Sequence, residues 1–215
     1  MAAAILDPTQ STSPFPTFPS ESIESGTREH AGAIVHNKEG SISIGLWEME
    51  KNTTTWLDYP VTEFMILLKG TVTLELDEKD STQEKNKRVS FTAPQCFVIP
   101  KGLRCKWIQE GHVKKWFVSL ESPRFEGINS ASFNDTSSGT CAFVVDFNSN
   151  VVEEQGFAVG SRGGKDVDPS DDSLEVIFDG KNTYFKSKGE VAPAIEGRVV
   201  FCRFSARKSE TSARL

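Results

Sequence analysis

The chain has 215 residues, 37% of them hydrophobic, and a formal net charge of −6, which is material for one large domain or two small ones with a sizeable core. The acidic balance argues against nucleic acid or an anionic membrane as the main partner, because phosphate binding needs a basic face. No apolar run approaches the roughly 18 residues of a membrane span, and no basic segment leads into an apolar one near the start, so a cytoplasmic protein is expected.

Residues 1 to 22 run through Ser11-Thr12-Ser13-Pro14-Phe15-Pro16-Thr17-Phe18-Pro19-Ser20. Closely spaced prolines prevent helix and central strand, so an extended arm is expected over residues 1–30. Phe15, Phe18 and Ile23 leave two readings open, a floppy leader or an arm packed across a neighbouring sheet or subunit.

From Ala33 onward strand signals alternate with turn residues. Ser41 to Met49 alternates apolar and polar, and Lys51-Asn52-Thr53-Thr54-Thr55 is a polar break. Phe64 to Leu68 is an apolar run closed by Lys69-Gly70, followed by alternating Val72, Leu74 and Leu76. This reads as two strands joined by a glycine turn, with Glu63 at the start of the first. Phe97-Val98-Ile99-Pro100-Lys101-Gly102-Leu103-Arg104-Cys105-Lys106-Trp107 has the same form, and two such hairpins facing each other build the mouth of a small barrel. Further strands are expected at Val89–Phe91, Lys114–Leu120, Cys141–Phe147, Gly156–Gly160, Leu174–Phe178, Thr183–Lys186 and Arg198–Ser205. Many short strands at spacings of about 8–12 residues, without long helical periodicity, mean an all-β sandwich or barrel.

Laying Gly70 over Gly180 brings Phe64–Gly70 onto Leu174–Gly180, which points to an internal repeat in which Ser173 stands where the first copy has Glu63. Cys96, Cys105, Cys141 and Cys202 show no CxxC spacing and read as reduced thiols. Asn52 and Asn134 fit the glycosylation pattern, which is silent without secretion.

The residues Gly45-Leu46-Trp47-Glu48, Trp56 to Phe64, Leu68-Lys69-Gly70, Ile99-Pro100-Lys101-Gly102 and Lys114 to Val118 together resemble a cupin, in particular the ureidoglycine aminohydrolase-like and ethanolamine-utilisation-like subfamily. The resemblance implies an RmlC-like jelly-roll barrel with a degenerate, bicupin-like second half. The division is then an arm over 1–30, a cupin domain with the site over 31–122, a linker over 123–140, a second β half over 141–207 and a polar tail over 208–215. It also implies a homodimer formed by edge-strand exchange.

Metal-binding cupins carry a His-x-His pair shortly before a glutamate, a glycine after it, and a later histidine in a Pro-x-Gly-x-x-His hairpin. Here the glutamate and glycine match as Glu63 and Gly70, but the histidine positions fall on Trp56 and Asp58 (or Leu57 and Tyr59) and on Cys105. A 3-His-1-carboxylate centre therefore lacks three of its ligands, and no metal is expected.

What remains suits acid/base chemistry. Glu63 at the mouth of an apolar barrel is the candidate acid/base, Lys101 its charge partner, and Tyr59 a hydrogen-bond donor to a carbonyl or developing enolate. Trp56, Asp58, Cys105 and Trp107 are the candidate substrate-binding residues around a flat or aromatic ligand. This pattern points to a metal-independent isomerase, lyase or cyclase acting on a small carbonyl-bearing metabolite. Two alternatives stay open. One is an aminohydrolase-like cupin with a transition metal at Asp58, Glu63 and Cys105; the other is a non-catalytic binder, with Glu63 only in a salt bridge to Lys101 or Lys114.

Overall fold

The computed structural model describes residues 4–10, 12–14, 23–26, 29–37, 42–77, 87–120, 142–154, 157–166, 173–187, 189–191 and 194–204. The expected linker over 123–140 and tail over 208–215 lie outside the described residues, and so does Asn134. Among the described residues every regular element is a strand. They belong to two compact units, Asp7–Asp146 and Met1–Leu6 with Phe147–Leu215.

The first strand, β1 (Ala4–Ile5), belongs to the second of these units. Unit Asp7–Asp146 holds β2 (Ser13–Pro14), β3 (Ile23–Gly26), β4 (His30–Asn37), β5 (Ile42–Met49), β6 (Asn52–Thr54), β7 (Leu57–Asp58) and β8 (Thr62–Lys69). It continues with β9 (Thr71–Leu76), β10 (Lys87–Thr92), β11 (Cys96–Ile99), β12 (Arg104–Gln109), β13 (Val113–Leu120) and β14 (Phe143–Val145). One sheet runs β14-β11-β8-β13-β5-β4-β2, the other β10-β9-β12-β6-β3 with β7 also against β12. The proline-rich arm supplies edge strands, β2 to one sheet and β3 to the other, which is where a strand containing proline is tolerated.

The inward rows of the two sheets make one core. Trp47, Met49, Met65, Leu67, Phe97, Ile99 and Val113 come from the first sheet, and Val72, Leu74, Leu76, Phe91, Cys105 and Trp107 from the second. Period-two alternation explains this, since β9 buries Val72, Leu74 and Leu76 while Thr71 and Thr73 face out. Phe91 and Phe97 stack at 4.0 Å within that core.

The two expected hairpins are corners rather than hairpins. β8 pairs β11 and β13, whereas β9 pairs β10 and β12, so the chain changes sheet at Gly70. Gly70 has φ +87°, and a Cβ there would strike the carbonyl oxygen of His112, so only glycine makes this corner without strain. The chain changes sheet again between β11 and β12, at the Pro100–Leu103 turn. An apolar run, a glycine and a second apolar run satisfy either arrangement; the jelly roll selects the corner because each sheet needs its partner's inward row.

The other unit is one antiparallel sheet in the order β1-β18-β17-β19-β16-β15. It contains β15 (Val152–Glu154), β16 (Phe157–Gly163), β17 (Leu174–Phe178), β18 (Thr183–Lys186) and β19 (Arg198–Phe204). Ala158, Ile177, Ile195, Val199 and Phe201 form its apolar cluster. Here β17 and β18 do pair directly across Gly180, with Asp179 Oδ1 accepting the Lys181 and Asn182 backbone N–H groups at 2.8 and 2.6 Å. The two glycines that the expected repeat would align, Gly70 and Gly180, thus serve different connections in the two units. Ser173, at the position matching Glu63, is fully buried.

Candidate functional site

β8 sends Glu63, Met65 and Leu67 to the inside of the barrel, and Glu63 is only 7% exposed. Its carboxylate is held at both oxygens. The Tyr59 hydroxyl donates to Oε2, and the Lys115 ammonium lies 3.0 Å from Oε1. Lys115 is inward on β13 because Val113, Lys115 and Phe117 alternate with Lys114, Trp116 and Val118. It is 4% exposed.

The same ammonium has further company. Met65 Sδ is 3.2 Å away, and the ring centroids of Trp47 and Trp107 lie 5.0 and 4.8 Å away. The two indoles meet edge-on, 5.9 Å apart at 75°. Negative π faces thus help to hold the cation that the carboxylate attracts.

Tyr59 is fixed from its backbone. It donates its N–H to the Leu103 carbonyl at 2.8 Å and accepts from the Gly102 N–H at 2.8 Å, so the segment before β8 clamps the Pro100–Leu103 turn. Its phenol is pushed well above the ordinary tyrosine range, by burial first and then by the charge and hydrogen bond of Glu63, with smaller contributions from Cys105 and Glu29. The phenol therefore remains a proton donor at neutral pH.

Residues 36–117 match the family model described as the EutQ-like cupin domain. That segment of the chain is similar to a cupin domain. The matched segment contains Tyr59, Glu63, Trp107 and Lys115 alike. Among solved structures, a DUF861-family protein of unknown function from Pseudomonas syringae pv. tomato is 18% identical over 54% of this chain, with a TM-score of 0.46; this chain covers 46% of it, under half its length. The EutQ protein of Clostridium difficile is 19% identical over 53% of this chain and 82% of its own, with a TM-score of 0.39. A cupin superfamily protein from Desulfitobacterium hafniense is 11% identical over 46% of this chain and 82% of its own, with a TM-score of 0.36. Among curated proteins none matches.

Of the candidate residues, unit Asp7–Asp146 brings Tyr59, Glu63, Cys105 and Trp107 into its buried interior. The Cys105 thiol is pushed up to about 12, by burial first and then by the charge of Asp58, which leaves it neutral. Asp58 is exposed and faces Arg104 at 3.5 Å. Trp56 is half-buried, with the Lys106 ammonium 5.7 Å from its ring centroid. Lys101 is exposed on the turn after β11, where its backbone N–H donates to Thr62 Oγ1 at 3.1 Å.

The donor set does not fit the metal centre of metal-binding cupins. Among the described residues there is no group of three or more His, Cys, Asp or Glu side chains that could hold a metal ion. Both oxygens of Glu63 are engaged by a phenol and an ammonium.

Two residues at the site were not singled out from the sequence. Lys115 sits beside Lys114, which instead lies 3.3 Å from Glu48 on the opposite face of the sheet. A one-residue shift in a strand reverses the face, and β13 is apolar on both, so its sequence gives no choice between the two lysines. Glu29, in the arm just before β4, is 4% exposed and accepts the Trp47 Nε1–H at 3.1 Å. Its acid in an otherwise unpatterned segment carries no local signal.

Proposed function

We propose that the cupin domain acts on a small carbonyl-bearing organic metabolite by acid/base proton transfer, as an isomerase, lyase or cyclase that needs no metal. The observation that carries this reading is the buried Tyr59–Glu63–Lys115 constellation, a carboxylate, a protonated phenol and a fixed cation enclosed by apolar and aromatic side chains.

Glu63 takes a proton from the carbon next to the substrate carbonyl; the electron pair of that C–H bond becomes the C=C bond of an enolate as the carbonyl π pair moves onto the oxygen. Once Glu63 carries the proton, the Tyr59 hydroxyl is released to donate to the oxyanion. Lys115 stays in place, so its charge, first balanced by Glu63, is balanced by the enolate after the transfer. With an α-hydroxy carbonyl, return of the proton to the former carbonyl carbon, as the α-hydroxyl gives up its own proton and becomes the new carbonyl, gives an isomer; loss of a leaving group from the β carbon gives a lyase product. Trp107 and Trp47 are the walls for a planar intermediate.

The test is turnover of a panel of aldehydes, ketones and 2-oxo acids by wild type and Glu63→Gln. The expected loss is at least about 100-fold in the variant with its circular dichroism unaltered. Unchanged turnover would overturn the reading.

A further inference from the structure

Two carboxamides of the cupin domain stand opposite each other on neighbouring strands and differ completely in their surroundings. Gln109 on β12 and Asn52 on β6 are partners in register, 1% and 0% exposed. Gln109 is fully engaged. Its Oε1 accepts the Trp107 indole N–H at 2.7 Å, and its Nε2 reaches the carbonyl oxygens of Met49, Glu50 and Gly111 at 3.0, 2.5 and 3.3 Å. Asn52 Oδ1 and Nδ2 are both buried and have no hydrogen-bond partner among the described residues.

Native interiors seldom leave a buried donor and acceptor unmade, and an apolar side chain of the same size serves folding better. Asn52 belongs to the inward row of β6. Thr54, two residues on, is equally buried and accepts the backbone N–H of Trp107 at 2.9 Å, and the Trp107 ring is one of the two that face Lys115. On its other side β6 pairs with β3, the edge strand of that sheet, so Asn52 lies one strand in from the edge.

We infer that Asn52 is a specificity-determining residue of the barrel interior, and that the ligand presents an acceptor and a donor side by side, as a carboxamide, a lactam or a protonated carboxylic acid does. A carboxylate offers two acceptors and leaves Oδ1 unmade; an ammonium leaves Nδ2 unmade. Only a paired donor and acceptor satisfies both atoms. This assignment rests on the reading of the interior as a ligand site and narrows its substrate class.

The experiment uses the full ¹⁵N-labelled chain and two probes of equal ring size, 2-pyrrolidinone with a donor and an acceptor, and cyclopentanone with an acceptor alone. Pyrrolidinone is expected to move the Asn52 side-chain NH₂ resonance saturably, with cyclopentanone at least about tenfold weaker, a discrimination that paired polar recognition readily gives. Asn52→Leu is expected to raise the melting temperature of the ligand-free chain by about 2–4 °C and to abolish pyrrolidinone binding. An Asn52 resonance that ignores both probes or follows both equally would overturn the assignment. So would a lower melting temperature in Asn52→Leu, which would mean that a structural water or the backbone satisfies the amide. Proton transfer by Glu63 is read by turnover and recognition by Asn52 through its own resonance, so each can fail without the other.

Discussion

Lys115 Nζ lies 3.0 Å from Glu63 Oε1 with both side chains buried, one reached from β13 and the other from β8. Removing one member of such a pair leaves an unpaired charge in the interior. Lys115→Met is expected to lower stability by about 3–5 kcal/mol, and the double variant Lys115→Met/Glu63→Gln to recover part of that loss. Urea denaturation of the two variants measures it; a loss below about 1 kcal/mol in Lys115→Met, the range of exposed pairs, would mean that the pair is solvated.

Tyr59 makes stability depend on alkaline pH. The unfolded chain's tyrosine ionises near pH 10, while the folded phenol, raised well above that by burial and by Glu63, keeps its proton. The folded state then binds more protons, so its stability falls as pH rises past 10. Tyr59→Phe is expected to lose about 1.5–3 kcal/mol at pH 7, the worth of a hydrogen bond to a charged group. That gap narrows between about pH 9 and pH 11 because only the wild type is losing the Tyr59 contribution. A gap that stays constant across this range contradicts the buried, protonated phenol.

Cys105 is expected to be chemically inert in the folded chain. With its thiol pushed up to about 12 by burial and by Asp58, the thiolate fraction at pH 8 is on the order of one in ten thousand. Iodoacetamide at pH 8, followed by peptide mass spectrometry, should label Cys105 only in denaturant. Labelling of the native chain at Cys105 would place it in an accessible, activated setting.

Gly70 and Gly102 separate backbone strain from steric contact. Both have positive φ, +87° and +83°, but a Cβ at Gly70 meets His112 and Val113 whereas one at Gly102 meets nothing within 4 Å. Gly102→Ala is expected to cost about 1–2 kcal/mol from the left-handed backbone alone, and Gly70→Ala to cost more. Equal losses in thermal or urea unfolding would mean that the corner at Gly70 relaxes away from His112.

Much of the fold was legible in the chain because period-two alternation is a direct imprint of a sheet with one buried face. β9, with Val72, Leu74 and Leu76 inward, stands where that pattern puts it, and β17, Leu174–Phe178, where a short apolar run bounded by turn residues does. Pairing was not legible. Phe64–Leu68 and Val72–Leu76 suit a hairpin or a change of sheet equally, and only the need of two sheets to cover each other decides. At the site, Glu63 and Tyr59 were marked by a lone acid and a lone phenol bordering an apolar run. Lys115 was hidden by its neighbour Lys114 in a strand apolar on both faces. Glu29 and Asn52 were hidden because burial of a polar residue in an arm or a polar break depends on pairing partners distant in the sequence, Trp47 for one and Gln109 for the other.

Proton transfer by Glu63 is tested most directly by isotope exchange. Wild type and Glu63→Gln are incubated in D₂O with the panel of carbonyl metabolites, and deuterium entering the carbon next to the carbonyl is followed by mass spectrometry. Wild type should exchange at least one of these compounds at a rate that falls by about 100-fold or more in Glu63→Gln. Exchange at equal rates in both proteins, or in neither, would contradict the role given to Glu63.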